Sequence, residues 1–266
     1  MAAAPTLRRH DVHVYLVKID ESLERKLLSS YEGLLDDGER DRFDRLTGEH
    51  TRTEFLVTRA LCRIMLSEFA DRPPDAWRFD TNAHGKPCIA NGGTENHLEF
   101  NLSNSKGLVA CVVGTGCRLG IDVEPHAQIR NVEAMARRFF TASEAGFVVS
   151  AEPSERLARF IGIWTLKEAF VKAWGSGMSL PLDMFSFDTQ GHRPAHFFHT
   201  PSLGNPKRWR FHAWDVAPAH RMALAIATEE SDARIGVTLR YGVPRLSGGN
   251  GWFDSPGAAV RLLLPA

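Results

Sequence analysis

The segment Leu119-Gly120-Ile121-Asp122-Val123-Glu124-Pro125 puts two carboxylates one strand repeat apart. Its apolar and polar residues alternate, which is the period of a half-buried strand. Leu119, Ile121 and Val123 would face a core, leaving Gly120, Asp122 and Glu124 on the opposite face. Two carboxylates beside a residue without a side chain can hold a hard cation and let a ligand approach closely. Pro125 keeps Glu124 extended and then ends the pairing. Further along, Ile163-Trp164-Thr165-Leu166-Lys167-Glu168-Ala169-Phe170-Val171-Lys172 has helical spacing, with Trp164, Glu168 and Lys172 stacked at i, i+4 and i+8. That face can bring a third carboxylate and an ammonium group to the same place. The set suits metal-assisted chemistry on a phosphate.

Each signal also has a plainer reading. Asp122 and Glu124 alone are equally a solvated strand face. Glu168 and Lys172 alone are an exposed i, i+4 pair worth a few tenths of a kcal/mol. Trp164 alone is more often core than site. Arg52, Arg59 and Arg63 form a basic stripe at i, i+7 and i+11, which is either an anion site or a helix face paired with Glu54 or Asp44. His192, His196 and His199 have superficial metal spacing, but Pro194 breaks the helix that this would need. Asn91-Gly92-Gly93 is a loop and no phosphate cradle, because no Walker or Rossmann fingerprint follows a strand.

These residues need elements to hold them. Residues 11–19 alternate as a first strand, and the charged run from Glu39 to Arg45 reads as a helix. Thr51-Arg-Thr-Glu54 is a capping-box pattern that would open a strong helix to about Phe69, stopped by Pro73-Pro74. After the turn His84-Gly85-Lys86-Pro87, a β-meander is expected over 99–102, 108–113 and 119–123. A helix over 132–139 precedes a second capping box, Thr141-Ala-Ser-Glu144, and then the Trp164 helix. Strands at 184–187, 209–214 and 222–227 complete the pattern. One helix-and-meander unit followed by another implies two similar α+β halves, and no period of 20–50 residues marks a solenoid. The expected division is 1–116, 117–245 and a flexible tail over 246–266, which begins with Leu246-Ser-Gly-Gly-Asn-Gly.

Composition narrows the partners. Of the charges, 15 basic and 18 acidic lie through Cys117, with 17 basic and 14 acidic after it, so neither half is a polybasic nucleic-acid surface. The four cysteines, Cys62, Cys88, Cys111 and Cys117, include no CxxC pair and suit a reducing cytoplasm. No apolar leader and no 18-residue apolar run is present, so a cytoplasmic protein without a membrane partner is expected.

Taken together the blocks resemble the surfactin-synthetase-activating (Sfp-type) 4′-phosphopantetheinyl transferases. That family carries Gly-Ile-Asp-x-Glu on a strand and Trp-x-x-Lys-Glu-x-x-x-Lys on a helix, matched here by Gly120–Glu124 and Trp164–Lys172. Gly85-Lys86-Pro87, Phe100-Asn101-Leu102-Ser103, Arg138-Phe139-Phe140 with Glu144, and Gly177–Leu182 match in order, so the resemblance covers roughly 40–190. It implies an α+β fold made of a pseudo-twofold pair of similar halves, with coenzyme A held in the cleft between them. The N-terminal half would serve the nucleotide side and the C-terminal half the metal and catalytic side. A monomer would suffice.

By the same resemblance, Asp122, Glu124 and Glu168 would coordinate Mg²⁺, and the 4′-phosphopantetheine of coenzyme A would pass to a serine of an apo acyl or peptidyl carrier protein. The products would be holo carrier and 3′,5′-ADP. Glu168 would take the serine proton. Lys172 would steady Glu168 and neutralise the departing phosphate, and Lys167 would bind phosphate too. Arg52 would meet the 3′-phosphate, with Lys86, Pro87 and Ser103 contacting the nucleotide and Asp122 reaching the phosphates through the metal. Asn104 stands where the family usually has histidine, so that contact loses a group able to carry charge. Glu144 matches a family glutamate near the metal, yet it is also N3 of a capping box. Carriers of fatty-acid, polyketide, nonribosomal-peptide and lysine pathways remain open. Two other readings keep the site: a coenzyme A or nucleotide-binding module without transfer, and a Mg²⁺-dependent pyrophosphate hydrolase.

Overall fold

The computed structural model describes residues 7–20, 23–90, 97–127, 129–189, 196–199, 201–216, 219–231, 233–246, 253–254 and 259–264. In chain order it runs β1 (Asp11–Lys18), α1 (Arg25–Glu32), α2 (Asp37–Arg45), α3 (Glu49–Glu68), β2 (Phe79–Thr81), β3 (Pro87–Ile89), β4 (Leu98–Ser105), β5 (Leu108–Thr115) and β6 (Cys117–Pro125). There follow α4 (Val132–Phe139), α5 (Ala142–Val149), α6 (Pro153–Trp174), β7 (Phe185–Asp188), β8 (His196–His199), β9 (Trp209–Val216) and β10 (His220–Thr228). The chain ends with β11 (Ile235–Tyr241), β12 (Val243–Pro244), β13 (Phe253–Asp254) and β14 (Val260–Leu264). The fold is α+β, in two compact units: Met1–Thr81, Pro87–Cys117 and Arg234–Pro265 form one, Asn82–Lys86 and Arg118–Ala233 the other.

The first unit is built on a five-stranded sheet in the order β14-β11-β1-β5-β4, parallel only between β1 and β11. Leu56, Val57, Leu61, Ile64 and Met65 of α3 share one core with Tyr15, Val17, Val109, Cys111 and Val113 of the sheet. The expected capping box at Thr51 does not form. Helix α3 starts earlier, behind Gly48 at φ 89°, a conformation glycine adopts freely. Glu54 has another use there, accepting from the Gly107 N–H of the β4–β5 turn at 3.3 Å. An unforeseen capping box opens α2 instead, where Asp36 and Glu39 each accept from the other's backbone N–H.

Two further expectations give way. The meander breaks after β5: β6 leaves the first sheet and joins β10 and β9. The switch falls at Gly116, whose φ of 67° makes a turn that a side chain would strain. The C-terminal stretch belongs to the first unit rather than to a second half and a flexible tail. Ile235, Val237 and Leu239 alternate into the core, and β11 satisfies the edge of β1 that β5 and β4 alone would leave unpaired. Strand β14 then pairs antiparallel with β11.

In the second unit α6 lies on the three-stranded sheet β6-β10-β9. Leu166, Ala169, Phe170 and Ala173 pack with Phe211, Ala223 and Ala225. Helices α4 and α5 cover another flank of α6, with Ala136, Phe140, Ala145 and Val148 against Phe160, Ile161 and Ile163. Both units thus place one long helix, of 20 and 22 residues, on a sheet. His196 and His199 lie in β8 opposite Asp188 and Phe185, a strand rather than a metal-binding helix. His192, Asn91, Gly92 and Gly93 fall outside the described residues. Among the described residues no helix is long and apolar enough to cross a membrane.

The second unit packs very closely at Gly120. A methyl group there would run into the Ala169 carbonyl oxygen and the Ala173 backbone nitrogen, and would come within 2.9 Å of Ala173 Cβ. The missing side chain therefore admits helix α6, not a ligand as the sequence suggests. Neither partner can yield without moving a strand or a helix. Gly120→Ala is expected to lower unfolding free energy by about 3 kcal/mol, at the upper end of overpacking effects. A urea denaturation curve measures it.

Candidate active site

Strand β6 alternates as its sequence demands, with Leu119, Ile121 and Val123 at 0–1% exposure. The other face carries Asp122 and Glu124 to helix α6. Asp122 is buried at 4% exposure, and its Oδ1 accepts from Lys172 Nζ at 2.7 Å. Glu124 is half-buried, and its Oε1 accepts from the Trp164 indole Nε1 at 3.2 Å. Glu168 is half-buried between those two helix positions. Among the described residues its carboxylate makes no hydrogen bond or ion pair. The structure thus brings Asp122, Glu124, Glu168 and Lys172 into one neighbourhood. Lys172 donates to Asp122, and its charge also favours the ionised form of Glu168.

The electrostatics are those of a crowded acidic site. Burial pushes the Glu168 carboxyl above its ordinary 4.5, Asp122 pushes it further, and Lys172 pulls it back. Glu124 is likewise raised by burial first, then by Asp122, against the Trp164 hydrogen bond and Lys172, with Glu168 adding to the rise. Carboxylates that raise one another's proton affinity in a partly dry place are short of positive charge. The donor set is all oxygen, without His or Cys, which fits a hard divalent ion such as Mg²⁺. The groups are not gathered as a finished cage: no three His, Cys, Asp or Glu side chains among the described residues form one. Asp122 and Glu124 are each engaged by a donor of the protein.

Lys167 is elsewhere. It is completely buried and pairs with Glu144 Oε2 at 2.8 Å, the glutamate itself being 2% exposed. Its Nζ also donates to the carbonyls of Leu182 and Phe185 at 2.7 and 2.6 Å. Three acceptors use the ammonium's three protons, so the expected phosphate contact at Lys167 is corrected to a structural one. Burial lowers the Lys167 pKa and Glu144 pulls it back up. Glu144 does serve the capping box of α5, accepting from Thr141 N at 3.0 Å, and it also accepts from Phe187 N at 2.9 Å. The metal reading of Glu144 gives way to this knot, which ties α5, α6 and β7 together.

The remaining candidates divide between the units. Lys86 is in the second, its Nζ donating to the Leu119 carbonyl of β6 at 3.0 Å. Pro87 begins β3, and Ser103 and Asn104 lie on β4 of the first unit, Ser103 buried and Asn104 exposed. Arg52 also belongs there; it donates to the Phe43 carbonyl at 2.9 Å and covers the Phe43 ring at 3.8 Å. The basic stripe dissolves into ion pairs, but not with Glu54 or Asp44. Fully buried Arg63 meets Glu39 at 2.6 Å and Asp36 at 3.5 Å, and Arg59 meets Glu39 at 3.3 Å. Two roles escaped the sequence: the Trp164 donor to Glu124 and the Glu144–Lys167 pair. The first was signalled by Trp164 sharing a helix face with Glu168, the second by nothing local.

A strand carrying two carboxylates lies against a helix carrying a third and a lysine, and known proteins share this stretch of chain. The family model described as the 4′-phosphopantetheinyl transferase superfamily matches residues 118–227, the stretch from β6 to β10. The 4′-phosphopantetheinyl transferase HetI of Nostoc sp. is 30% identical over 65% of this chain and 73% of its own. Sfp of Bacillus subtilis, a 4′-phosphopantetheinyl transferase, is 27% identical over 80% of this chain and 92% of its own. A Synechocystis sp. protein named as a putative 4′-phosphopantetheinyl transferase is 28% identical over 70% and 74%. The chain belongs to the 4′-phosphopantetheinyl transferases and is an enzyme of that kind.

The buried pair gives a direct test of the correction at Lys167. Lys167→Met leaves Glu144 buried without its counter-charge and is expected to cost about 3–5 kcal/mol of stability. Adding Glu144→Gln to it should recover part of that loss, which a double-mutant cycle in chemical denaturation reads.

Proposed function

We propose that this enzyme moves the 4′-phosphopantetheine arm of coenzyme A onto a serine of an apo acyl or peptidyl carrier protein, leaving 3′,5′-ADP, with Asp122, Glu124 and Glu168 as ligands for Mg²⁺. The observation that carries the reading is Glu168: half-buried, raised in proton affinity, and uncommitted among the described residues beside two carboxylates. A carboxylate with raised pKa is matched to accepting a proton near neutral pH. Glu168 takes the proton of the carrier serine hydroxyl. The serine oxygen then bonds to the β-phosphorus as the bond to the bridging oxygen breaks, and that oxygen leaves with 3′,5′-ADP. Lys172, 28% exposed on Asp122, supplies positive charge to the departing phosphate. A Mg²⁺ ion held by Asp122, Glu124 and Glu168 would supply positive charge that makes the pyrophosphate a better electrophile and leaving group.

On the nucleotide side, Arg52 carries guanidinium protons beyond those used on Phe43 and Leu46, and these serve the 3′-phosphate. Lys86, Pro87, Ser103 and Asn104 complete that side, Asn104 by a neutral hydrogen bond. Lys167 has no part in it. The protein acts as a monomer in the cytoplasm.

The deciding assay incubates the protein with coenzyme A, Mg²⁺ and an apo carrier and weighs the carrier intact. The carrier should gain one phosphopantetheine. Glu168→Gln should slow that gain by about 10²–10⁴-fold, the usual contribution of a positioned base. Wild-type turnover in that variant would remove the base assignment, and no adduct at high wild-type enzyme concentration would remove the transfer.

Metal binding has a thermal signature with a fixed sign. Glu124 and Glu168 have raised pKa values in the folded state, so the stability they contribute is complete at low pH. It is lost as pH rises through those raised values. A divalent cation binds the ionised forms and offsets the loss. Added Mg²⁺ should therefore raise Tm more at pH 8 than at pH 5, and the difference should vanish in Glu124→Gln/Glu168→Gln.

A further inference from the structure

We propose that Trp164 is a positioning residue for the divalent cation, its indole N–H fixing the Glu124 carboxylate in orientation before the ion arrives. This rests on the reading of Glu124 as a metal ligand. The Trp164 Nε1 to Glu124 Oε1 contact of 3.2 Å is, among the described residues, the hydrogen bond that the carboxylate makes.

The donor cannot wander. Phe160, one turn earlier on α6, stacks on the indole at 5.8 Å and 18°, and Phe139 at the end of α4 meets its edge at 5.8 Å and 77°. Phe140 in turn stacks on Phe160 at 4.9 Å. The N–H is therefore held by two helices. Its acceptor would otherwise be loose, because Glu124 is the penultimate residue of β6 and has a long flexible side chain. A half-buried tryptophan such as Trp164 can be satisfied by any acceptor, including a backbone carbonyl. Here the indole meets a carboxylate of the acidic cluster instead.

The chemistry of the donor matters. Lys172 on Asp122 brings a positive charge that competes with a cation for the same carboxylate. An indole N–H is neutral, so it orients Glu124 and leaves its charge to the ion. It also occupies only one of about four lone-pair positions on the carboxylate. Partners of this outer kind commonly account for 10- to 100-fold in metal affinity or activity.

Trp164→Phe keeps a ring between Phe139 and Phe160 and removes only the donor. With saturating coenzyme A, Mn²⁺ titration of the full chain followed by electron paramagnetic resonance should show affinity weakened ~10-fold in the variant. Its Tm without metal should match wild type, and kcat at saturating Mg²⁺ should stay near wild type while the Mg²⁺ requirement rises. A merely structural tryptophan would lower Tm and leave metal affinity alone. Equal Mn²⁺ affinity in the two proteins overturns the positioning role and leaves the proposed metal site standing. Wild-type protein that binds no Mn²⁺ overturns both. A second measurement needs no tryptophan variant. In the ¹H–¹⁵N spectrum of wild type, the indole signal displaced by Glu124→Gln should also move on adding Mg²⁺, and an unmoved signal overturns the proposal.

Discussion

Strand β6 and helix α6 meet backbone to backbone at Gly120, where the Ala169 carbonyl and the Ala173 nitrogen occupy the space of a side chain. Asp122, Glu124, Glu168 and Lys172 all lie along that strand–helix contact. Along the pair, Gly120 lies against Ala169 and Ala173, Asp122 meets Lys172, and Glu124 meets Trp164. Glu168 sits between them on the same helix face. With a larger residue at position 120, the helix would stand off, and side chains as short as aspartate would no longer reach across. The close approach is also dry enough to raise the proton affinity of Glu124 and Glu168. One packing contact therefore sets both the geometry and the electrostatics.

Helix α6 shows how differently one helix can use the same residue type. Lys167 and Lys172 are about 140° apart around the axis at 3.6 residues per turn. Lys172 remains partly exposed on Asp122. Lys167 points into the packing of α5 and β7, where Glu144 and two carbonyls satisfy it. A buried charge tolerates that only because every proton has a partner. The knot holds α5 and β7 against α6 and so fixes the rotation of the helix that presents Glu168. The aromatic stack of Phe139, Phe160 and Phe140 around Trp164 does the same on another flank.

Much of the site was legible because its spacing is local. Alternation in Leu119–Pro125 named the carboxylate face, and i, i+4, i+8 spacing named Trp164, Glu168 and Lys172 as one helix face. The capping box at Thr141 was equally plain, since a cap is settled within four residues. The box at Thr51 matched the same pattern yet did not form, because Gly48 offered an earlier start and Gly107 claimed the Glu54 carboxylate. The departure of β6 from the expected meander, and the return of β11 to pair with β1, were hidden for a related reason. Strand partners are chosen by which edges are left open in space, and alternation looks the same in either sheet.

By itself the sequence determined which residues share a face and where strands and helices run near the site. Those follow from backbone periods of 2 and 3.6, which need no knowledge of distant segments. Only the tertiary structure decided which partner each charge receives. Lys172 goes to Asp122, Lys167 to Glu144, Arg63 to Glu39, and the Trp164 N–H to Glu124. It also decided that Gly120 makes room for a helix rather than a ligand. The physical reason is common to all of these. Coulombic and hydrogen-bond partners act over a few ångströms, and the residues brought that close are separated in sequence by between 23 and 50 positions.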